Sequence, residues 1–243
     1  METNEMGGKY FLPAAVIAAG VLIAGAVLWN GSHPTNPSGT QPNGTAPTVA
    51  VNIKNIKTDG DPYVGSANAP VTIAFWSDFQ CPYCKAVEVG GIPQIPIQPA
   101  LPDVIKNYVD TGKVRIVFMD FVFLGKDSVT AALYNRSVWR LYPSQYMVWR
   151  TAMYTAQDQE GDQGFGNAAS IDKLDATIPG LDAAKIAADV KANATAYQAL
   201  VDADKAEAKK AGVNATPSFV IGTQLIPGAV EYATIQTAIE AVK

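Results

Sequence analysis

Cys81-Pro82-Tyr83-Cys84 holds both cysteines of this 243-residue chain. Two thiols separated by two residues form a reversible dithiol/disulfide couple, and such a pair at a strand-helix junction is a redox pattern. Closed structural zinc needs four ligands. The single histidine, His33, lies in a Pro/Gly/Asn-rich stretch far from the pair, so zinc would require a second chain. A purely structural disulfide would close a very short loop and add little stability. Redox chemistry is therefore the leading reading, with no metal and no cofactor beyond the two sulfurs.

The flanking residues must hold one sulfur ready for attack. Val71-Thr72-Ile73-Ala74-Phe75-Trp76 is β-branched and aromatic, which predicts a buried strand, and Pro82 suits the first turn of a following helix. Cys81 then sits near the helix N-cap, where unpaired backbone N–H groups and the positive end of the macrodipole favour a thiolate. Cys81 is the expected nucleophile. Cys84, about one helical turn deeper, is the expected resolving thiol that attacks a mixed disulfide at Cys81.

Far downstream, Gly212-Val213-Asn214-Ala215-Thr216-Pro217-Ser218-Phe219-Val220-Ile221-Gly222 places Thr-Pro before another apolar strand. Alone this is an ordinary strand-initiating turn. Together with the cysteine pair, the chain resembles the thioredoxin superfamily. That resemblance implies a cis peptide bond before Pro217 and a substrate-facing Thr216 whose backbone receives an extended peptide. Pro82, Tyr83 and Pro217 become supports of the active site.

Asp61-Pro62-Tyr63-Val64-Gly65, then Asn68-Ala69-Pro70-Val71-Thr72-Ile73, then Ser77-Asp78-Phe79-Gln80-Cys81-Pro82-Tyr83-Cys84-Lys85, narrow the match. Over roughly residues 55 to 243 the chain is similar to the DsbA/BdbD-like thiol:disulfide oxidoreductases. The implied fold is α/β, a thioredoxin fold with an inserted helical subdomain. Three departures stand out. Many relatives carry a buried glutamate where this chain has Phe75, and Asp78 does not inherit its place. The strongest oxidants carry histidine at the position of Tyr83, so a less extreme thiolate and a milder oxidant are expected here. Four prolines within Gly90 to Pro102 should break the helix after the motif into an extended apolar segment.

Val114 to Met119 reads as a second central strand, introduced by an Asp110-Thr111-Gly112-Lys113 turn. Tyr142, Tyr146, Trp149 and Met153 recur at helical spacing and predict one packed helix face within an insertion at about 126–200. Asp158 to Ser170 reads as a loop. A long Ala-rich helix should then run from about Leu181-Asp182 to Gly212. A hairpin at Gly222-Thr223 and a closing helix from about Tyr232 to Val242 complete a single domain over 55–243.

Upstream, residues 1–9 read as a cytoplasmic N-terminus and 10–29 as one transmembrane helix: Tyr10 to Trp29 is uncharged, mostly apolar and framed by aromatics. A cleaved signal peptide is the competitor, but Ala24-Gly25-Ala26 falls inside the apolar run. Residues 30–54 form the expected flexible linker, rich in Pro, Gly, Thr, Ser and Asn. Lys9 on one flank, and no Lys or Arg between Trp29 and Lys54, favours an extracytoplasmic catalytic domain on the cell membrane, where disulfides persist. A net charge of −4 without a basic stripe argues against nucleic acid. The resemblance implies a protein disulfide oxidase acting on unfolded secreted chains and reoxidised by a membrane quinone-linked partner. A reductase or isomerase of the same fold, and a tethered peptide-binding chaperone without turnover, are the alternatives.

Overall fold

The computed structural model describes residues 51–159 and 161–243. The expected N-terminal segment and anchor, 1–9 and 10–29, and most of the expected linker lie outside these residues. Among the described residues no helix is long and apolar enough to cross a membrane.

Five strands form one sheet in the order β1-β3-β2-β4-β5, with β1 Tyr63–Val64, β2 Val71–Ser77, β3 Val114–Asp120, β4 Ser218–Ile221 and β5 Gln224–Pro227. The parallel pair β2 and β3 places Val71 opposite Val114 and Phe75 opposite Phe118; antiparallel β4 places Phe219 opposite Phe75. Parallel neighbours need a crossover. Here it is α1, Pro82–Glu88, then an irregular stretch with a turn, then α2, Ala100–Val104, prolonged by a π-helical turn over Ile105–Val109. Alternation along β2 splits its side chains between two cores. Ile73 and Phe75 face the larger core, with Ile116, Phe118 and Phe219; Ala74 and Trp76 face the smaller, with Val117, Met119 and Val220.

Between β3 and β4 the chain inserts four helices: α3 Lys126–Leu141, α4 Tyr146–Ala156, α5 Ala168–Asp175 and α6 Ala183–Ala211. The hairpin β4-β5 and the closing helix α7, Tyr232–Glu240, follow. This is a thioredoxin fold opened after β3 to admit a helical subdomain. Asp182 caps α6 by accepting from the Lys185 N–H at 2.9 Å, and Gly212 ends it at φ 77°, a left-handed conformation that suits glycine. The expected end of the insertion near 200 falls inside α6. The last turns of that helix already belong to the sheet, since Ala208 and Ala211 pack into the smaller core and the Trp76 indole donates to the Asp204 carbonyl at 3.1 Å.

Four local expectations need correction. Tyr142 is not part of the α4 face: Pro143 breaks the helix after Leu141, and the Tyr142 ring faces Lys185 Nζ at 5.6 Å. Tyr146, Trp149 and Met153 are buried on α4 as expected. The loop after α4 ends earlier than Ser170, because Asn167 caps α5 by accepting from the Ser170 N–H. Gly90 to Pro99 is not one extended run, because the Ile95 N–H closes a turn on the Ile92 carbonyl at 2.9 Å, and Pro102 lies in the first turn of α2, where a missing N–H removes no helical bond. The linker expected over 30–54 stops short of its last residues: Val51 is buried in the smaller core, and the Ile53 N–H donates to the Gly222 carbonyl at 2.8 Å.

The insertion is locked to the sheet by a buried ionic cluster. The Arg136 guanidinium on α3 meets Asp61 at 2.6 Å, Asp120 at the end of β3 at 2.7 Å, and Asp204 of α6. Burial, with the neighbouring carboxylates, pushes the Asp204 carboxyl well up from its ordinary value against the pull of Arg136. Deleting one partner of such a cluster leaves uncompensated buried charge. Arg136→Met should therefore cost about 3–5 kcal/mol of stability at pH 7 in urea denaturation. The loss should shrink as the pH falls towards the carboxylate range, where the stranded acids protonate.

Candidate active site

The active-site segment is shaped before α1 begins. Asp78, buried after β2, accepts from the Gln80 N–H at 2.9 Å and the Phe123 N–H at 3.1 Å, and its own carbonyl accepts from the Cys81 N–H at 3.1 Å. Burial raises the Asp78 carboxyl above its ordinary value. This tight loop delivers Cys81 in extended conformation to the N-cap of α1, with Pro82 following at the first helical position. Pro82 is pre-set for that turn. The N–H groups of Cys84 and Lys85 both reach the Cys81 carbonyl at 3.1 Å, so Cys81 closes the first helical turn.

The Thr216–Pro217 bond is cis and brings the start of β4 against this turn. The Cys81 thiol donates to the Thr216 carbonyl at 3.4 Å. In that protonated state the buried Thr216 hydroxyl has no partner; once Cys81 ionises, the hydroxyl can donate to the sulfur. Cys81, Cys84, Thr216 and Pro217 are thus gathered at one place. Pro82 is half-buried beside them, and Tyr83 projects outward at 52% exposure. Both cysteines are free thiols.

The two sulfurs are unequal. A hydrogen bond from the Cys84 thiol pulls Cys81 down to about 7 from the ordinary 9.0; the Thr216 hydroxyl and the N–H groups of Cys84 and Tyr83 act in the same sense, and burial opposes them. Cys84 is 0% exposed, and burial, then its bond to Cys81, push it well above its ordinary value. Cys81 is 4% exposed, so an incoming sulfur meets it at its outer edge while Cys84 stays out of reach. The arrangement favours an anion on Cys81 and a proton on Cys84. Among the described residues, no His, Asp or Glu group joins the cysteines as a metal-holding cluster.

Beneath the turn, Phe75 stacks on Phe219 with ring centroids 4.4 Å apart, so the position six residues before Cys81 is hydrocarbon. Charge enters instead through residues that sequence reasoning missed. Glu88, on α1, accepts from Arg150 of α4; the same guanidinium donates to the Ser77 hydroxyl at 2.7 Å and lies 4.1 Å from the Phe118 ring centre. Burial raises Glu88, while Arg150 opposes the rise. A lone glutamate in Ala86-Val87-Glu88-Val89 and a lone arginine in an aromatic stripe were the available signals. Gln157, whose side chain reaches the Cys81 carbonyl at 3.1 Å, carried no signal at all.

A family model described as Thioredoxin matches residues 57–241. Disulfide bond formation protein D of Bacillus subtilis (strain 168) is 25% identical over 190 residues, which cover 74% of this chain and 76% of that protein. Among solved structures, oxidised BdbD from Bacillus subtilis aligns with a TM-score of 0.67 at 23% identity, over 77% of this chain and 95% of that one. The thiol-disulfide exchange protein alpha-DsbA2 from Wolbachia pipientis aligns with a TM-score of 0.61 at 23% identity, over 75% and 87%. At these identities the structural likeness speaks for the fold.

The thiol asymmetry has a pH signature. Alkylation of Cys81 in the reduced protein should rise with an inflection at about 7, whereas an ordinary thiol inflects near 9.0. Between these values the unfolded thiol is protonated and the native one is not, so stability of the reduced form should increase with pH. Above that window Cys84 should reverse the trend, because its thiol ionises only in the unfolded chain. Urea denaturation of the reduced chain across pH 6 to 10 checks both directions.

Proposed function

The chain belongs to the thioredoxin family, and from that membership we propose that it is a membrane-anchored, extracytoplasmic thiol:disulfide oxidoreductase that introduces disulfides into unfolded secreted proteins. The observation that carries this reading is the split between an acidic Cys81 and a buried, protonated Cys84 beside a cis Thr216–Pro217 loop.

In the oxidative direction the resting state is the Cys81–Cys84 disulfide. A substrate thiolate attacks the Cys81 sulfur, the Cys81–Cys84 bond breaks, and Cys84 leaves with the electron pair and takes up a proton. The high affinity of the buried Cys84 for that proton favours this step. The second substrate thiol, deprotonated, then attacks its partner sulfur in the mixed disulfide and displaces Cys81. A lower-pKa thiolate leaves faster. The substrate has lost two electrons and the enzyme has gained them; a reoxidant must remove them to restore the disulfide. A membrane quinone-linked protein fits that part, since residues 10–29 would hold the domain near the bilayer.

Substrate selection falls to the Thr216–Pro217 loop, where Thr216 offers backbone rather than a side-chain pocket, a sequence-tolerant mode suited to unfolded chains. A reductase of the same fold is the second reading. It draws on one observation: a Cys81 thiol at about 7 lies nearer thioredoxin, at roughly 7, than the strongest DsbA-type oxidants, at roughly 3.5.

Trapping tests the enzymatic reading. The full chain carrying Cys84→Ser, expressed with an oxidising exterior, should accumulate mixed disulfides with secreted proteins that dithiothreitol releases. A Cys81→Ser, Cys84→Ser chain should accumulate none. Equal recovery of partners by both chains, insensitive to reductant, would show a passive peptide binder.

A further inference from the structure

Gln157 ends α4 and begins the loop that leads to α5, seventy-six residues beyond the nucleophile in sequence. Its side chain nevertheless enters the active-site turn. The carboxamide nitrogen donates to the Phe79 carbonyl at 2.6 Å and to the Cys81 carbonyl at 3.1 Å, so its two N–H groups are divided between the peptide oxygens on either side of Gln80. The side chain is buried, and its backbone is held from both directions. The Gln157 N–H donates to the Tyr154 carbonyl at 3.3 Å, and the Gln157 carbonyl accepts from Lys85 Nζ, one residue past Cys84, at 2.9 Å. Phe79 is itself wedged by α4, with its ring 5.1 Å from Tyr154 and 5.4 Å from Trp149.

This clasp runs both ways: Lys85 reaches out from the active-site helix to the end of α4, and Gln157 reaches back to the residue that bears the nucleophile. A buried carbonyl without a donor is costly; the Cys81 carbonyl also accepts from the Cys84 and Lys85 N–H groups, whereas the Phe79 carbonyl takes its donor from Gln157. Gln157 supplies it with one neutral group that adds no charge to the turn.

We propose that Gln157 is a positioning residue for Cys81: by donating to the Phe79 and Cys81 carbonyls it fixes the nucleophile's turn, and with it the backbone N–H groups and the Thr216 contact that serve the Cys81 thiolate. The inference rests on the thiol-exchange reading above and makes the helical insertion part of the redox centre. Lys85 acts at one remove, by holding the residue 157 backbone in place.

The test uses the reduced full chain, with Cys81 alkylation by iodoacetamide followed by peptide mass spectrometry from pH 5 to 10. Gln157→Met keeps the volume of the side chain and removes the donors. It should alkylate about threefold to tenfold more slowly than wild type at pH 7, with the inflection moved upward, as expected when the turn that presents the sulfur to its donors loses one or two hydrogen bonds. Gln157→Lys restores a donor at the same place and should alkylate at least as fast as wild type. Superposition of the Gln157→Met and wild-type curves would overturn the proposal, as would equal slowing by Met and Lys, which would reduce Gln157 to packing. If Gln157→Met lacks the native near-ultraviolet dichroism, the Lys variant decides alone: slower than wild type overturns the proposal, equal or faster supports it. A wild-type inflection near that of an ordinary thiol would remove the underlying reading; an acidic wild-type thiol unaffected by Gln157→Met would remove this inference only.

Discussion

A negative charge on one nearly buried sulfur is the constraint around which this protein is organised. Cys81 has little water to stabilise its anion, so the fold supplies substitutes: a proton held on Cys84, backbone N–H groups at the mouth of α1, and the Thr216 hydroxyl across the cis peptide bond. Each comes from a different part of the chain. The first two are local and follow from Cys-x-x-Cys at a helix start. The third needs β4 paired antiparallel to β2, with Trp76 opposite Ser218, so that the residue before Pro217 meets the end of the strand that leads to the cysteines.

The helical insertion is not merely mounted on this arrangement. A buried polar path runs from Arg136 and Asp120 through the Asn135 amide, at 3.1 Å from Asp120, to the Tyr146 hydroxyl at 2.7 Å and on to Arg150 at 3.3 Å. Arg150 then ties Ser77 at the end of β2 to Glu88 on α1. In a low-dielectric interior such a path is favourable only when every member is satisfied, which makes the relative placement of sheet, insertion and active-site helix specific. Phe75 lays hydrocarbon beneath the turn and the Glu88 carboxylate is paired with Arg150, while Asp78 is a buried acid held by backbone N–H groups rather than by a cation.

The parts of this molecule governed by local rules were readable from the chain. Val71 to Trp76 became β2 because β-branched and aromatic residues fill a strand buried on both faces, and α6 stops at Gly212 because glycine tolerates the left-handed turn that ends it. The cysteine pair and Thr216-Pro217 were legible as halves of one site, the second through family likeness rather than spacing. What stayed hidden depends on partners distant in sequence. Arg136 looks like an ordinary polar position on α3 until Asp61, 75 residues earlier, and Asp204, 68 residues later, close around it. Val51 reads as linker until the hairpin that receives it is formed. Tyr142 matched helical spacing, yet the proline after it outweighs periodicity. Gln157 is one polar residue at the head of a polar loop, and only the folded chain shows which carbonyls it serves.

The equilibrium of the full chain with glutathione reads the relative stability of dithiol and disulfide, which is the quantity this architecture controls. A fold that stabilises the Cys81 anion, but less than the most acidic relatives do, should give a potential between about −270 and about −120 mV. A value at or below about −270 mV, the thioredoxin range, would contradict the account and make the protein a reductase.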